Sequence, residues 1–567
     1  SAGLSYQILD WLNVAGRVRI DNTHSEYEGK LYASSSNTLT DGSSQGHYTV
    51  NNGQYSQTYA DVLVNINKRI QDFTIVANIG ASYSGVTSKE LGYAGPIRET
   101  GIPNLFNVYD LDNAKKRATQ VGWREATESI FASAEVGWKS MLYLTVTGRN
   151  DWASQLTHSP QASFFYPSVG LSAVITEILK LPDWVDYLKV RGSFSSVGNP
   201  YPRFLTYPTY SYDANKQDWK SQTNYPIGKL YPERTDSWEV GLDATLFKDF
   251  KLSGSFYYAN TYNQTFDPRL PVSSGYDKLY VQTGYVRNYG FEAMLSYGHR
   301  WGDFGWDSSF TFSANKNEIV ELVKDYVHPE TGKTYNVDKL ELKTDEGRGF
   351  GKAKFILKEG GTLGDLYTHA DLKRDINGNV LIDDSGNVTA IDNAGDIKLG
   401  SVLPKANLAW NNSFSYKGIN AGFLLTARLG GIVYSATQAY LDLYGVSETS
   451  AAARDAGGVW INGRSRVNPQ SFYEVVASQS GLPTYYTYSA TNLRLQEAHI
   501  GYTVPRRWLG NVCDINVSLV GRNLWMIYCK APFDPEAVAT TNNYYQGIDY
   551  FMMPSTRNIG FNIKINF

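Results

Sequence analysis

The densest run of candidate metal-ligating side chains in the 567-residue chain lies between Asp371 and Asp384. With Gly378 at the sixth place of a calcium loop, Asp375, Asn377, Asn379 and Asp384 fall at the third, fifth, seventh and twelfth. Lys373 then takes the first ligand place, which a cation cannot fill, and Asp384 has a shorter reach than the usual Glu. The other reading is a pair of Asn-Gly and Ser-Gly hairpin turns. Apart from structural calcium here, no cofactor or metal is expected. Asp183 with Asp186, or Asp383 with Asp384, have the types of a catalytic carboxylate pair, but such acids are common on solvated loops and nothing in the pattern buries them. The 7 His are scattered. No HExxH, GxSxG or phosphate-binding Gly loop occurs, so no enzymatic activity is expected.

Aromatic clusters carry more promise. Tyr201, Phe204, Tyr207, Tyr210, Tyr212 and Trp219 crowd one polar segment. Trp460, Tyr473, Tyr485, Tyr486 and Tyr488 crowd a second, and Tyr544, Tyr545, Tyr550 and Phe551 a third. Flat rings stack on sugar faces or grip peptides, and Tyr hydroxyls bond polar ligands. Tyr210, Tyr212, Trp219, Trp460, Tyr485, Tyr486, Tyr544 and Tyr545 are the candidate substrate contacts. The competing role for the same rings is loop packing, against the loops themselves or a partner.

The elements that hold these segments are strands. Ile559, Phe561, Ile563, Ile565 and Phe567 alternate with Gly560, Asn562, Lys564 and Asn566, which makes one apolar and one polar face. The same alternation recurs at 12–20, 62–66, 73–79, 130–138, 142–146, 238–246, 250–258 and 515–519. With weaker examples it yields about sixteen strands. Short turns at Gln71-Asp72, Lys139-Ser140, Lys248-Asp249, Gly302-Asp303 and Lys417-Gly418, with slightly longer links at 179–182 and 505–507, alternate with long polar segments. Those segments are 21–57, 84–124, 199–233, 260–285, 315–403, 431–491 and 528–555, with a shorter one at 151–163. Sandwiches and propellers have no reason to gather every long loop at one end; outer-membrane barrels do. No useful helix is expected beyond a short one near 447–455.

Composition agrees. Mean hydropathy is -0.36, and no apolar run reaches the roughly 18 residues of a spanning helix. A spanning strand needs only about 9–11 residues with alternate positions apolar. The 42 Tyr and 13 Trp suit membrane–water boundaries as well as sugar-binding surfaces, and the net charge of -3 has no basic excess for nucleic acid. Cys513 and Cys529 fall near opposite ends of one expected strand, too far apart to pair.

Several blocks resemble the SusC/RagA family of TonB-dependent outer-membrane transporters of Bacteroidetes. They are Gly148-Arg149-Asn150-Asp151-Trp152 with Phe165-Tyr166-Pro167-Ser168-Val169, and Tyr187-Leu188-Lys189-Val190-Arg191-Gly192-Ser193 with Val197-Gly198-Asn199. Pro232-Glu233-Arg234-Thr235 with Ser237-Trp238-Glu239-Val240-Gly241 is a third. Gly521-Arg522-Asn523-Leu524-Trp525 with Phe533-Asp534-Pro535-Glu536 is a fourth. The matches keep the family's order along the whole chain. The resemblance implies an all-β, transmembrane antiparallel barrel with long extracellular loops and short periplasmic turns. The roughly sixteen strands here would be part of a barrel of about 22. Residues 1–567 would be the C-terminal part of that barrel, with the N-terminal extension, TonB box, plug and first strands outside this chain. It further implies outer-membrane import of large nutrients, glycans or oligopeptides, powered through TonB, with a SusD-like surface lipoprotein as lid and outer-membrane lipid around the wall. A passive porin, or a glycan-binding adhesin anchored by a barrel, are the competing readings.

Overall fold

A computed structural model describes every residue except 206–209, 214–217, 221–223, 226–229, 267–277, 280, 328–331, 333, 343–351, 511, 541–545 and 567. Tyr207, Tyr544, Tyr545 and Phe567 therefore lie outside the described residues. The chain forms two compact units. The first is Ser1–Ser172 with Ser193–Asp236 and Asn263–Gln282. The second is Ala173–Gly192 with Ser237–Tyr262 and Thr283–Phe567.

Seventeen strands make the antiparallel sheet. They are β1 (Ala2–Leu9), β2 (Leu12–Leu31), β3 (His47–Ile70), β4 (Phe73–Pro96), β5 (Arg117–Trp138), β6 (Leu142–Ala153), β7 (Ser163–Val174), β8 (Val185–Asn199), β9 (Glu233–Leu246), β10 (Phe250–Phe266), β11 (Val281–Trp301), β12 (Phe304–Glu321), β13 (Ala406–Tyr416), β14 (Ile419–Leu429), β15 (Asn492–Val504), β16 (Asp514–Cys529) and β17 (Asn558–Asn566). In the first unit β1 to β6 pair in sequence order. In the second β11 to β17 do the same. β1 is a strand beyond the expected sixteen or so; Leu4, Tyr6 and Ile8 alternate with Gly3, Ser5 and Gln7, but the run is only 8 residues long, and pairing with β2 decides it.

The expected short turns are present, and several need backbone with positive φ: Gln71, Lys139, Ser140, Phe247, Lys248, Lys417 and Gly418. Tight antiparallel hairpins favour that conformation because its twist matches the strands. At Gly418 a Cβ would also come within 2.9 Å of the Thr503 carbonyl. Alternation holds across strands as well as along them. Ile559, Phe561, Ile563 and Ile565 stand opposite Gly521, Leu519, Val517 and Ile515, whereas Asn562 and Lys564 stand opposite Ser518 and Asn516. Opposed residues share a face, so the apolar and polar faces run on from strand to strand. Phe561 is 78% exposed, and apolar side chains so exposed in a continuous band suit contact with lipid. In the second unit, rings collect beside the short turns. Trp184 stacks on Phe247 at 5.5 Å, Trp301 on Phe304 at 5.9 Å, and Trp306 on Phe414 at 6.3 Å. Such a belt marks a membrane–water boundary. Among the described residues no helix is long and apolar enough to cross a membrane.

Two of the segments read as loops are largely strand. The ladder of β2 with β3 runs to Leu31↔His47, and that of β3 with β4 to His47↔Pro96. Outside lipid nothing requires alternation, so a polar segment extends a ladder without an apolar face to announce it. The 430–491 connection carries three helices rather than one: α1 (Ala436–Leu443), α2 (Glu448–Asp455) and α3 (Pro469–Val476). Each starts on a side-chain cap. Ser435 accepts from the Gln438 N–H, Ser447 from that of Ser450, and Asn468 from Gln470 and Ser471, with Pro469 at the first helical place.

Candidate functional site

In the second unit an open hollow of about 780 Å³ lies on the face of the wall that carries Glu292 and Arg428. A straight cross-strand row lines it. Glu292 on β11 stands opposite Ser313 on β12, Ser313 opposite Asn407 on β13, and Asn407 opposite Arg428 on β14. Arg428 Nη2 donates to the Val402 carbonyl at 2.7 Å, while its Nε is buried and without a hydrogen-bond partner among the described residues. Gln496 joins the lining from a bulge: β15 slips a residue against β14 between Leu495 and Glu497, and slips against β16 at the same place. Bulges break a ladder and re-aim a side chain. The slip on β16 falls at Asn523-Leu524, inside the Gly521–Trp525 block, and Asn523 has φ 52°.

The Phe533–Glu536 block clamps a connection to this wall. Arg494 on β15 reaches Asp534 with Nη2 at 2.8 Å and Nη1 at 3.2 Å, and Glu536 at 3.2 Å. Both Arg494 and Asp534 side chains are nearly buried. Burial works to raise the Asp534 carboxyl, but hydrogen bonds from Arg494 and the Glu536 N–H outweigh it and hold it below the usual carboxylate range.

The 322–405 and 430–491 connections build their own cores. In the first, Leu340, Leu342, Phe355, Leu357 and Leu366 are buried on one small four-stranded sheet. The other side of that sheet carries Lys339, Glu341, Lys354 and Lys358 beside buried Ile356. Lys339 and Lys358 both bond Asp396 and hold its carboxyl far below the usual range. In the second, Asp442 is buried and accepts from Gln438 at 3.0 Å, Thr449 at 2.7 Å, Tyr486 at 3.0 Å and Ser447. Asn462 ties the two connections together, accepting from the Val380 N–H and donating to the Val380 carbonyl.

The predicted contacts sort by exposure. Tyr210, Tyr212, Trp219 and Trp460 are exposed; Tyr212 lies 5.3 Å from Trp219, and the Arg466 guanidinium lies over Trp460 at 4.5 Å. Tyr485 is half-buried against Phe472. Tyr486 is buried with its hydroxyl on Asp442, which makes it part of the loop core. Tyr488 packs on Phe533, and burial pushes its hydroxyl up to about 12. The calcium-like run forms two tight turns. Asp375 accepts from Asn377 N–H, Asn379 N–H and Asn379 Nδ2, and Asp383 caps the next turn by accepting from Ser385 and Asn387. Asp384 belongs to that second turn. Among the described residues no group of three His, Cys, Asp or Glu converges on a point. None of the hollow's row was foreseen: Ser, Asn, Glu and Arg on separate strands have no local spacing that marks them.

Residues 1–524 match the family described as "TonB dependent receptor-like, beta-barrel". The chain is 24% identical to the TonB-dependent receptor P3 of Formosa agariphila, over 86% of this chain and 50% of that protein. It is also 24% identical to the TonB-dependent receptor SusC of Bacteroides thetaiotaomicron, over 70% of this chain and 40% of that protein. The solved structure titled "Structure of the RagAB peptide transporter" superposes with a TM-score of 0.75 at 17% identity, covering 99% of this chain and 61% of that one. The chain thus spans about half the length, or less, of these curated relatives.

Proposed function

Because the chain belongs to the TonB-dependent receptor β-barrel family of the outer membrane, we propose that the whole protein imports a large nutrient, an oligosaccharide or oligopeptide. TonB supplies the energy, and a SusD-like surface lipoprotein serves as the lid. The observation that carries this reading is the hollow of about 780 Å³ on the wall of the second unit, lined in part by Glu292, Ser313, Asn407 and Arg428. A wall built only as an anchor has no need of one. The exposed rings of Tyr210, Tyr212 and Trp219 in the first unit, and of Trp460 in the second, each offer surface on which a sugar face or a peptide could stack.

β1 pairs only with β2, and β17 only with β16, among the described residues. Unpaired backbone groups in lipid cost several kcal/mol each. In this reading the remainder of the whole protein supplies strands to both edges, and it supplies the segment that TonB pulls.

The deciding experiment compares uptake of candidate nutrients by cells with and without TonB. Uptake that needs TonB supports the importer. Equal uptake in both strains would make the protein a passive porin, and no uptake with retained surface binding would make it an adhesin. Native purification should also yield a lipoprotein whose interface exceeds about 1,000 Å². Replacing Trp219, Trp460 and Tyr485 by Ala should weaken substrate binding; no change in any of the three would reduce those rings to loop packing.

A further inference from the structure

What the hollow holds can be read from its charges, granted the import reading above. The row Glu292–Ser313–Asn407–Arg428 has an acid at one end, a base at the other, and a hydroxyl and an amide between. The hollow's other charged groups are already matched: Arg191 pairs with Glu239 at 2.6 Å, and Glu536 with Arg494 at 3.2 Å. Glu292 is exposed and has no ion-pair partner among the described residues. Arg428 has no carboxylate within ion-pair distance among them, and it keeps donors unspent. Three strand spacings separate the two, roughly 14 Å between Cα atoms, so they do not neutralise each other.

We propose that this row is a subsite for a short peptide held as a zwitterion. The peptide carboxylate sits on the Arg428 guanidinium, whose fork suits a carboxylate. The terminal ammonium sits on the Glu292 carboxylate. Ser313 and Asn407 exchange hydrogen bonds with the peptide groups between. An extended tripeptide spans about 10 Å, about 4 Å less than the roughly 14 Å between the two Cα atoms, or about 2 Å at each end. A neutral glycan meets the hydroxyl and the amide but gives neither charge a partner. The row also holds no ring on which a sugar face could stack.

The test uses the whole protein purified in detergent, with folding checked by heat-modifiable migration on gels. The probes are Ala-Ala-Ala, its N-acetylated form, its C-amidated form and maltotriose, measured by calorimetry. The free tripeptide should bind, and blocking either end should cost about tenfold in affinity, the worth of a charge-assisted hydrogen bond. Arg428→Gln should erase the preference for a free carboxylate while leaving the preference for a free amine. Glu292→Gln should do the reverse. Structural damage does not produce that crossed pattern. The subsite is overturned if both variants bind every probe as the unaltered protein does. It is equally overturned if maltotriose binds and its binding is lost in Ser313→Ala and Asn407→Ala but kept in the charge variants. Uptake of the tripeptide with and without TonB, measured in parallel, separates the two readings. TonB-independent uptake sinks the importer whatever the row binds, whereas TonB-dependent uptake with insensitive variants sinks only the row.

Discussion

The hairpin of β3 and β4 and the hairpin of β13 and β14 both start from a tight two-residue turn, Gln71-Asp72 in one and Lys417-Gly418 in the other. The first continues as paired strand for 24 residues on each side, the second for 11. At about 3.3 Å per residue, the first is roughly 80 Å long and the second roughly 36 Å, against a hydrocarbon core near 30 Å. Beyond the lipid, backbone groups still need partners. The first unit supplies them by extending the ladder. Around β13 and β14 the second unit stops the ladder and folds the connections into cores of their own, with capped helices and buried Asp442. The ladder needs little sequence information, because any polar residue serves. The folded connections need specific buried partners and are correspondingly easier to break by single substitutions.

The largest effect is expected where a folded connection is clamped to the wall. Asp534→Ala takes the bidentate partner from buried Arg494 and leaves it Glu536 alone, at 3.2 Å, a loss near the lower end of about 3–5 kcal/mol. Limited proteolysis should then cut within 530–557 while the wall stays folded; an uncut connection would show that other contacts hold it. Next is a paired test inside β4. Ile79 and Leu91 are both exposed and share one face by strand parity. Ile79→Lys places a charge in the lipid band, costs roughly 2–4 kcal/mol and lowers the assembled amount. Leu91→Lys, in the ladder's extension, should leave assembly unchanged. Equal effects at the two positions would erase the boundary drawn between band and extension.

Asp442→Ala comes third. It orphans donors on Gln438, Ser447, Thr449 and Tyr486, for about 1–3 kcal/mol, and hydrogen exchange should rise across α1, α2 and 486–489 with β14 still protected. The smallest effect concerns pH. The Asp396 carboxyl is lowered by its hydrogen bonds from Lys339 and Lys358, so its contribution is complete above the ordinary carboxylate pKa of about 3.9. It is lost as pH falls below that value and through the lower folded one. These side chains are partly exposed, so screening keeps the effect under about 1 kcal/mol. Protection of Lys339–Leu342 should hold down to about pH 4 and fall as pH drops from there toward about 2, and less so in Asp396→Asn. No difference between the two proteins would remove the ion pairs from the account.

The alternation of Ile559 to Ile565, the turn at Lys417-Gly418 and the order of short and long connections are legible without coordinates, because each rests on neighbours in the chain. So is the helix after Ser447, which its cap announces. The aromatic clusters were visible as composition, but their roles were not. Tyr486 and Trp460 belong to the same cluster, yet one is sealed in the loop core and the other stands exposed. Solvent exposure depends on what packs from elsewhere.

By itself the chain determined its all-β class, its two-faced wall and its family, since period 2, turn chemistry and motif blocks are local properties. Tertiary structure alone decided which polar residues meet. Glu292, Ser313, Asn407 and Arg428 come from four strands and line up only because every intervening turn and bulge sets the register. A one-residue slip in any of those ladders would turn a member of the row to the lipid face. No local pattern carries that sum, and so the row became visible only when the strands were paired.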